Sequence, residues 1–130
     1  MKEYDEEIVK AGGVDFQILG IGRDGHIGFN EPNTPFDSKT HIAELDESTR
    51  VANARFFHSL EETPTEAITM GLSTIMQARH IVMIVSDLSK VDALKALLKG
   101  EEDLMWPATV LASHSSVEIF VTSDVFEAAK

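Results

Sequence analysis

Short apolar runs alternate with stretches of helical periodicity along this chain, and that alternation limits the fold more than any other feature of the sequence. Val14 to Leu19 (VDFQIL), Ile81 to Val85 (IVMIV) and Val117 to Thr122 (VEIFVT) read as strands, the first two as buried ones. Leu72 to Ala78 reads as a helix. A second helix starts near Lys90, with Val91, Leu94, Leu97 and Leu98 on one face and Gly100 just past its end. Trp106 to His114 reads as another, since Pro107 is tolerated in a first turn. Shorter pieces complete the pattern: Thr40 to Leu45 extended, Glu47 to Phe57 helical or mixed, Ala67 to Met70 a small strand. Asp5, Glu6 and Glu7 precede the first strand on what reads as a solvated helix. Strands that alternate with helices imply an α/β fold, here a Rossmann-like, mostly parallel sheet with flanking helices.

A parallel sheet covered on both faces normally has more strands than the three or four seen here. Residues 1–130 are therefore expected to form one domain that is a portion of a larger one. With 43% apolar residues the chain can bury a core, and no repeat, low-complexity tract or linker divides it. The formal net charge of −11 argues against nucleic acid or a membrane surface as the main partner, because both demand a continuous basic face. A small anion remains possible where one or two cations meet helix N-termini. No apolar run is long enough to span a bilayer, and MKEYDEEIVK has charges where a secretory signal needs an apolar stretch. A cytoplasmic location is the expectation. The chain has no cysteine, so any chemistry falls to oxygen and nitrogen groups.

The segment after the first strand, GIGRDGHIGFNEPNTPFD, is long for a connection and therefore a candidate functional loop. Gly20, Gly22 and Gly25 match the G-x-G-x-x-G spacing of a dinucleotide site, and Glu44 follows at about the distance of a ribose-binding acid. That motif requires a helix to begin within the glycines, whereas NEPNTP discourages one, so no nicotinamide or flavin cofactor is expected. With Gly28 added, four glycines suggest close backbone approach to a ligand. Asp24, His26 and Glu31 fall within eight residues on this loop. A histidine between two carboxylates can serve as an acid/base unit, the carboxylates orienting the ring and favouring the imidazolium. By spacing alone a second reading stands equally well, with His26 solvated and Asp24 only turning the chain. A metal centre would need a further histidine from His41, His58, His80 or His114 at no recognised spacing, and none is assigned.

The loop's wording, LGIGRDGHIGFNEP, resembles the signature of the glucosamine-6-phosphate deaminase family nearly residue for residue. STRVANARFF, AITMGLSTIMQARHIVMIVS with Ser89 and Lys90 after it, and WPATVLASH resemble further family segments in the same order, so the likeness covers essentially the whole chain. The resemblance implies conversion of glucosamine 6-phosphate and water to fructose 6-phosphate and ammonium, a hydrolytic deamination coupled to aldose–ketose isomerisation, without a redox cofactor or catalytic metal. It implies that His26 opens the sugar ring by moving a proton at the ring oxygen, with Asp24 and Glu31 orienting it. It also implies that Arg55 and Lys90 bind the substrate phosphate and that Gly20 approaches the sugar through its backbone.

The family's chain is longer, and what the resemblance leaves unmatched is its N-terminal half, with a phosphate-binding loop and the acid that moves a proton between carbons 1 and 2. The expectation is a C-terminal portion, inactive by itself and prone to self-association. The stretch near His41 and Ala43 lacks the paired basic residues of the family's regulated hexamers, which suggests the short, unregulated branch. Two rivals remain. A 6-phosphogluconolactonase shares the G-x-G-x-D-G-H loop but not FNEP with Glu31; a noncatalytic sugar-phosphate binding module would keep Arg55 and Lys90 without the chemistry.

Overall fold

The computed structural model describes residues 2–130. In chain order the elements are helix α1 (Lys2–Lys10), strand β1 (Phe16–Leu19), strand β2 (His41–Glu44), helix α2 (Glu47–Asn53), strand β3 (Glu66–Thr69), helix α3 (Leu72–Met76), strand β4 (His80–Val85), helix α4 (Val91–Leu98), strand β5 (Val117–Val121) and helix α5 (Ser123–Ala129). Tighter 3-10 turns occupy Ala54–Phe56, Leu88–Lys90 and Pro107–Ser113. None of the described helices is long and apolar enough to cross a membrane.

The main sheet has three strands in the order β1-β4-β5, all parallel, with Ile18 paired to Val82 and Met83 to Ile119. Parallel neighbours end at the same side of the sheet, so the segments that follow β1 and β4 emerge together there. Strands β2 and β3 form a separate antiparallel ribbon with Ile42 opposite Ile68. The fold is thus α/β with a mostly parallel sheet and flanking helices, as expected.

Among the described residues, one face of the three-stranded sheet is packed by helices and the other is largely open. Leu19, Ile81, Met83 and Val85 point into a core closed by Leu72 and Ile75 of α3, Leu94 and Leu97 of α4, Val110 and Leu111 of the 3-10 turn, and Val125 of α5. Most apolar residues on the opposite face are open: Phe16 is 54% exposed, Ile18 63%, Ile84 51% and Phe120 56%, with Val82 buried among them. This corrects the reading of β1 as a buried strand, whereas β4 is buried at Ile81, Val82, Met83 and Val85 and departs from that reading at Ile84. A continuous apolar run signals two faces that avoid polar residues, but burial also requires a layer on each side, and this chain supplies one.

Other local expectations shift for similar reasons. Leu98 is exposed, while Ala93 and Ala96 turn inward beside Leu94 and Leu97. The helix expected at Trp106 to His114 is a 3-10 helix with five consecutive buried residues, Pro107 through Leu111, so it has no solvent face to give an amphipathic period. Thr109 Oγ1 donates to Trp106 O at 2.6 Å and accepts from Asp103 N at 2.7 Å, which binds the tight turn to the preceding loop. Nor is Asp5 a merely solvated charge: it accepts from Thr40 N at 3.1 Å, Thr40 Oγ1 at 2.8 Å and Thr74 Oγ1 at 2.8 Å, tying α1 to the start of β2 and to α3.

Candidate active site

The loop after β1 is irregular but tightly held. Gly22 N donates to His26 O at 2.8 Å and Gly25 N to Gly22 O at 3.0 Å, closing a turn around Asp24. Ile27, fully buried, pins that turn to the core. Asn30, also fully buried, donates through Nδ2 to Ile27 O at 2.9 Å and Met70 O at 2.8 Å. Its neighbour Phe29 donates from its backbone N to Thr69 Oγ1 at 3.0 Å. The loop is therefore fastened to the end of β3 rather than suspended over solvent.

These contacts account for most of the glycines without a ligand. A Cβ on Gly22 would fall 2.1 Å from His26 Cε1, so this position must lack a side chain for the imidazole to lie where it does. Gly25 has φ +80°, and a Cβ there would sit 2.9 Å from Trp106 Cε3 and 3.2 Å from Trp106 Cα, a clash with a backbone that cannot yield easily. At Gly20 a Cβ would meet nothing within 4 Å. Of the glycines spaced for close ligand approach, Gly20 is the one that faces open space, while the others serve packing within the chain.

Asp24, His26 and Glu31 converge. His26 Nδ1 lies 2.6 Å from Asp24 Oδ1, and the same carboxylate oxygen accepts from the His26 backbone N at 3.1 Å. Glu31 Oε2 stands 3.5 Å from the same ring nitrogen, an ion-pair distance, while Oε1 accepts from Thr49 Oγ1 at 2.7 Å. Both carboxylates thus hold the Nδ1 edge, and among the described residues no protein group bonds Nε2. Burial by itself would lower the His26 pKa, but hydrogen bonding to Asp24 and Glu31 and the charges of both outweigh it and raise the value from 6.5 to about 9. Burial would likewise raise Asp24; hydrogen bonding to His26 and Glu31 and the imidazolium charge reverse this and hold Asp24 well below the usual carboxylate range. At neutral pH the trio is an imidazolium with its Nδ1 side clamped and its Nε2 proton available. The three donor atoms lie within 4.8 Å of one another, but a cation between them would have to displace the 2.6 Å Asp24–His26 hydrogen bond.

A cavity of about 760 Å³ opens beside His26, lined by Gly22, Arg23, Asp24, Phe29, residues of α2 from Glu47 to Asn53, and Lys90. Lys90 reaches it from the neighbouring strand: it caps α4, and its Nζ donates to Ile21 O at 2.5 Å. Arg55 is not brought to this cavity. It is exposed, its guanidinium 4.7 Å from the Phe56 ring centroid, and it borders a separate hollow with Phe57, His58 and Glu62. Arg23 and Thr49 line the cavity although sequence reasoning did not single them out. Arg23, directly before Asp24 in the loop, was in plain view; Thr49 was not, because only folding places α2 against Glu31.

The family model for glucosamine-6-phosphate isomerases/6-phosphogluconolactonase matches residues 1–120. A glucosamine-6-phosphate deaminase of Oceanobacillus iheyensis is 53% identical over 116 residues, which is 89% of this chain and 46% of that protein. One of Thermoanaerobacter is 52% identical over 123 residues, 95% of this chain and 49% of that protein. The chain spans about half the length of the curated relatives it matches. Among solved structures, a monomeric glucosamine-6-phosphate deaminase superposes with a TM-score of 0.93 at 42% identity, covering 98% of this chain and 53% of that one. The 6-phosphogluconolactonase of Trypanosoma brucei shares the fold, with a TM-score of 0.72 at 16% identity. The family model over residues 1–120, the identities near 50% and the superposition at 42% identity agree: the chain belongs to the glucosamine-6-phosphate isomerase/6-phosphogluconolactonase family.

Proposed function

We propose that this chain supplies the acid/base loop of a glucosamine-6-phosphate deaminase, which converts glucosamine 6-phosphate and water to fructose 6-phosphate and ammonium. The observation that carries the reading is the clamped imidazolium of His26, with Nε2 left for a substrate in the cavity. Opening the sugar ring breaks the bond between carbon 1 and the ring oxygen, and that oxygen must gain a proton as it leaves. An imidazolium held by Asp24 and Glu31 is built to donate it. Lys90 offers the substrate phosphate a cation at the start of α4, where amide dipoles add to it. Arg55 is assigned the second phosphate cation on the family resemblance alone, since it borders a separate hollow, and Gly20 leaves room for the sugar. The deaminase reading is favoured over lactone hydrolysis by identities near 50% with named deaminases and by the Glu31 contact to His26. The working protein is soluble and cytoplasmic in this reading, with a sugar phosphate as its partner and no nucleic acid.

The decisive assay joins these residues to the half of the Oceanobacillus enzyme that they do not match and measures ammonium release against lactone hydrolysis. Ammonium release from glucosamine 6-phosphate is the expected outcome; lactone hydrolysis alone would overturn the assignment. The 130-residue chain by itself is expected to show no turnover.

The same chain alone is expected to self-associate through the bare sheet face. Phe16, Ile18, Ile84 and Phe120 are exposed apolar residues on one face of three adjacent strands, broken by the His80–Glu118 pair, and such surfaces are covered by another copy when nothing else covers them. Light scattering tests this, and a clean monomer of 14.3 kDa would count against it.

A further inference from the structure

We propose that Thr49 is a positioning residue that keeps the Glu31 carboxylate turned toward His26. The inference rests on the acid/base reading of the loop. Glu31 lies in a segment with no helix or strand to orient its side chain; only its backbone is fixed, its carbonyl accepting from Thr34 Oγ1 at 2.6 Å. Its carboxylate shares one ring nitrogen with Asp24, and two like charges drawn to one site repel each other. Without a second bond to hold it the carboxylate would rotate away from Asp24, since its buried Oε2 makes no hydrogen bond. Thr49 opposes that movement: its hydroxyl, on a residue only 5% exposed, donates to Oε1 at 2.7 Å and leaves Oε2 3.5 Å from the imidazole.

Thr49 is itself held in place. Its backbone N donates to the Asp46 side chain that caps α2, at 2.8 Å, and its carbonyl accepts from Asn53 Nδ2 at 2.9 Å. A threonine in a helix is restricted to two main rotamers, so fixing this backbone leaves the hydroxyl few places, and the bond to Glu31 selects one of them. The helix cap therefore aims a hydroxyl at a catalytic carboxylate eighteen residues away.

The charged groups around the imidazole are Asp24 and Glu31 on its own loop, Arg23 beside them, Asp46 and Glu47 from the start of α2, and Lys90 from the start of α4. Of these, Glu31 accepts from the Thr49 hydroxyl and Asp46 from the Thr49 backbone N, a bond that Thr49→Val leaves in place. The test is nitrogen-15 NMR titration of His26 in the 130-residue chain. Thr49→Val keeps the shape and removes the hydroxyl; Thr49→Ser keeps the hydroxyl. In the valine variant the proton affinity of His26 is expected to fall by about tenfold or more as Glu31 moves away, and in the serine variant to stay near the original. Glu31→Gln should produce a similar fall, and adding Thr49→Val to it should add little. A folded valine variant that titrates like the parent would overturn the proposal, and so would additive effects in the double variant. Should Thr49→Val fail to fold, Thr49→Ala read in the same Glu31→Gln background decides between the same two outcomes. Because His26 titration is read without turnover, failure here is distinct from failure of the deaminase reading.

Discussion

Replacing His26 by Gln is expected to lower ammonium release from glucosamine 6-phosphate by a factor on the order of 10²–10⁴ in the joined chain described above. Glutamine occupies a similar volume and can still donate a hydrogen bond to Asp24, so the loop should keep its shape. What it lacks is a transferable proton on the far edge of the side chain. In the parent, Asp24 at 2.6 Å and Glu31 at 3.5 Å both face Nδ1, and the charge they stabilise is delivered at Nε2. The loss should fall on kcat more than on KM, since Lys90 and the cavity walls, proposed to hold the sugar phosphate, are the same in either variant. With the parent value raised to about 9, activity that needs the imidazolium should decline above that pH, whereas the residual activity of the variant should lack this limb. Unchanged turnover in His26→Gln would remove His26 from the chemistry.

Much of this site was legible in the sequence because it lies on one short segment. Asp24, His26 and Glu31 are close in sequence, and glycines and prolines around them exclude a regular element that would hold them apart. Spacing could not say that both carboxylates approach the same ring nitrogen. That outcome depends on Gly22 giving the imidazole room and on Thr49 arriving from α2. The strands were equally plain, but their burial was not. Ile84 and Phe120 look like core residues in any reading of composition, and only the absence of a covering layer in the described residues leaves them exposed. Helix α5 escaped notice because it is seven residues long with Val125 as its one buried side chain, too little for a period to show. Arg55 illustrates the opposite limit: its role rests on resemblance, and the fold by itself places it beside Phe56 rather than beside His26.

The clamp around His26 also makes a thermodynamic prediction that needs no substrate. A histidine at its ordinary value of 6.5 in the unfolded chain and at about 9 in the folded one binds its proton more tightly when folded. The resulting stabilisation is therefore fully present below pH about 6.5 and is lost as the pH rises through about 9. The difference in proton affinity corresponds to about 3 kcal/mol, a large share of the stability of a small domain. Net charge complicates the raw curve, because a chain at −11 becomes more self-repelling as the pH rises. Comparison with His26→Gln cancels that background. Urea unfolding of both proteins between pH 6 and pH 9.5 should show the parent losing stability relative to the variant across this window, with the gap closing toward the alkaline end. Asp24→Asn should narrow the gap at neutral pH, since it removes the closer of the two carboxylates that hold the proton. Parallel curves for parent and His26→Gln would mean that the two carboxylates do not raise the proton affinity of His26 in the folded chain, and the imidazolium on which the proposed ring opening depends would then have to be supplied by the substrate complex instead.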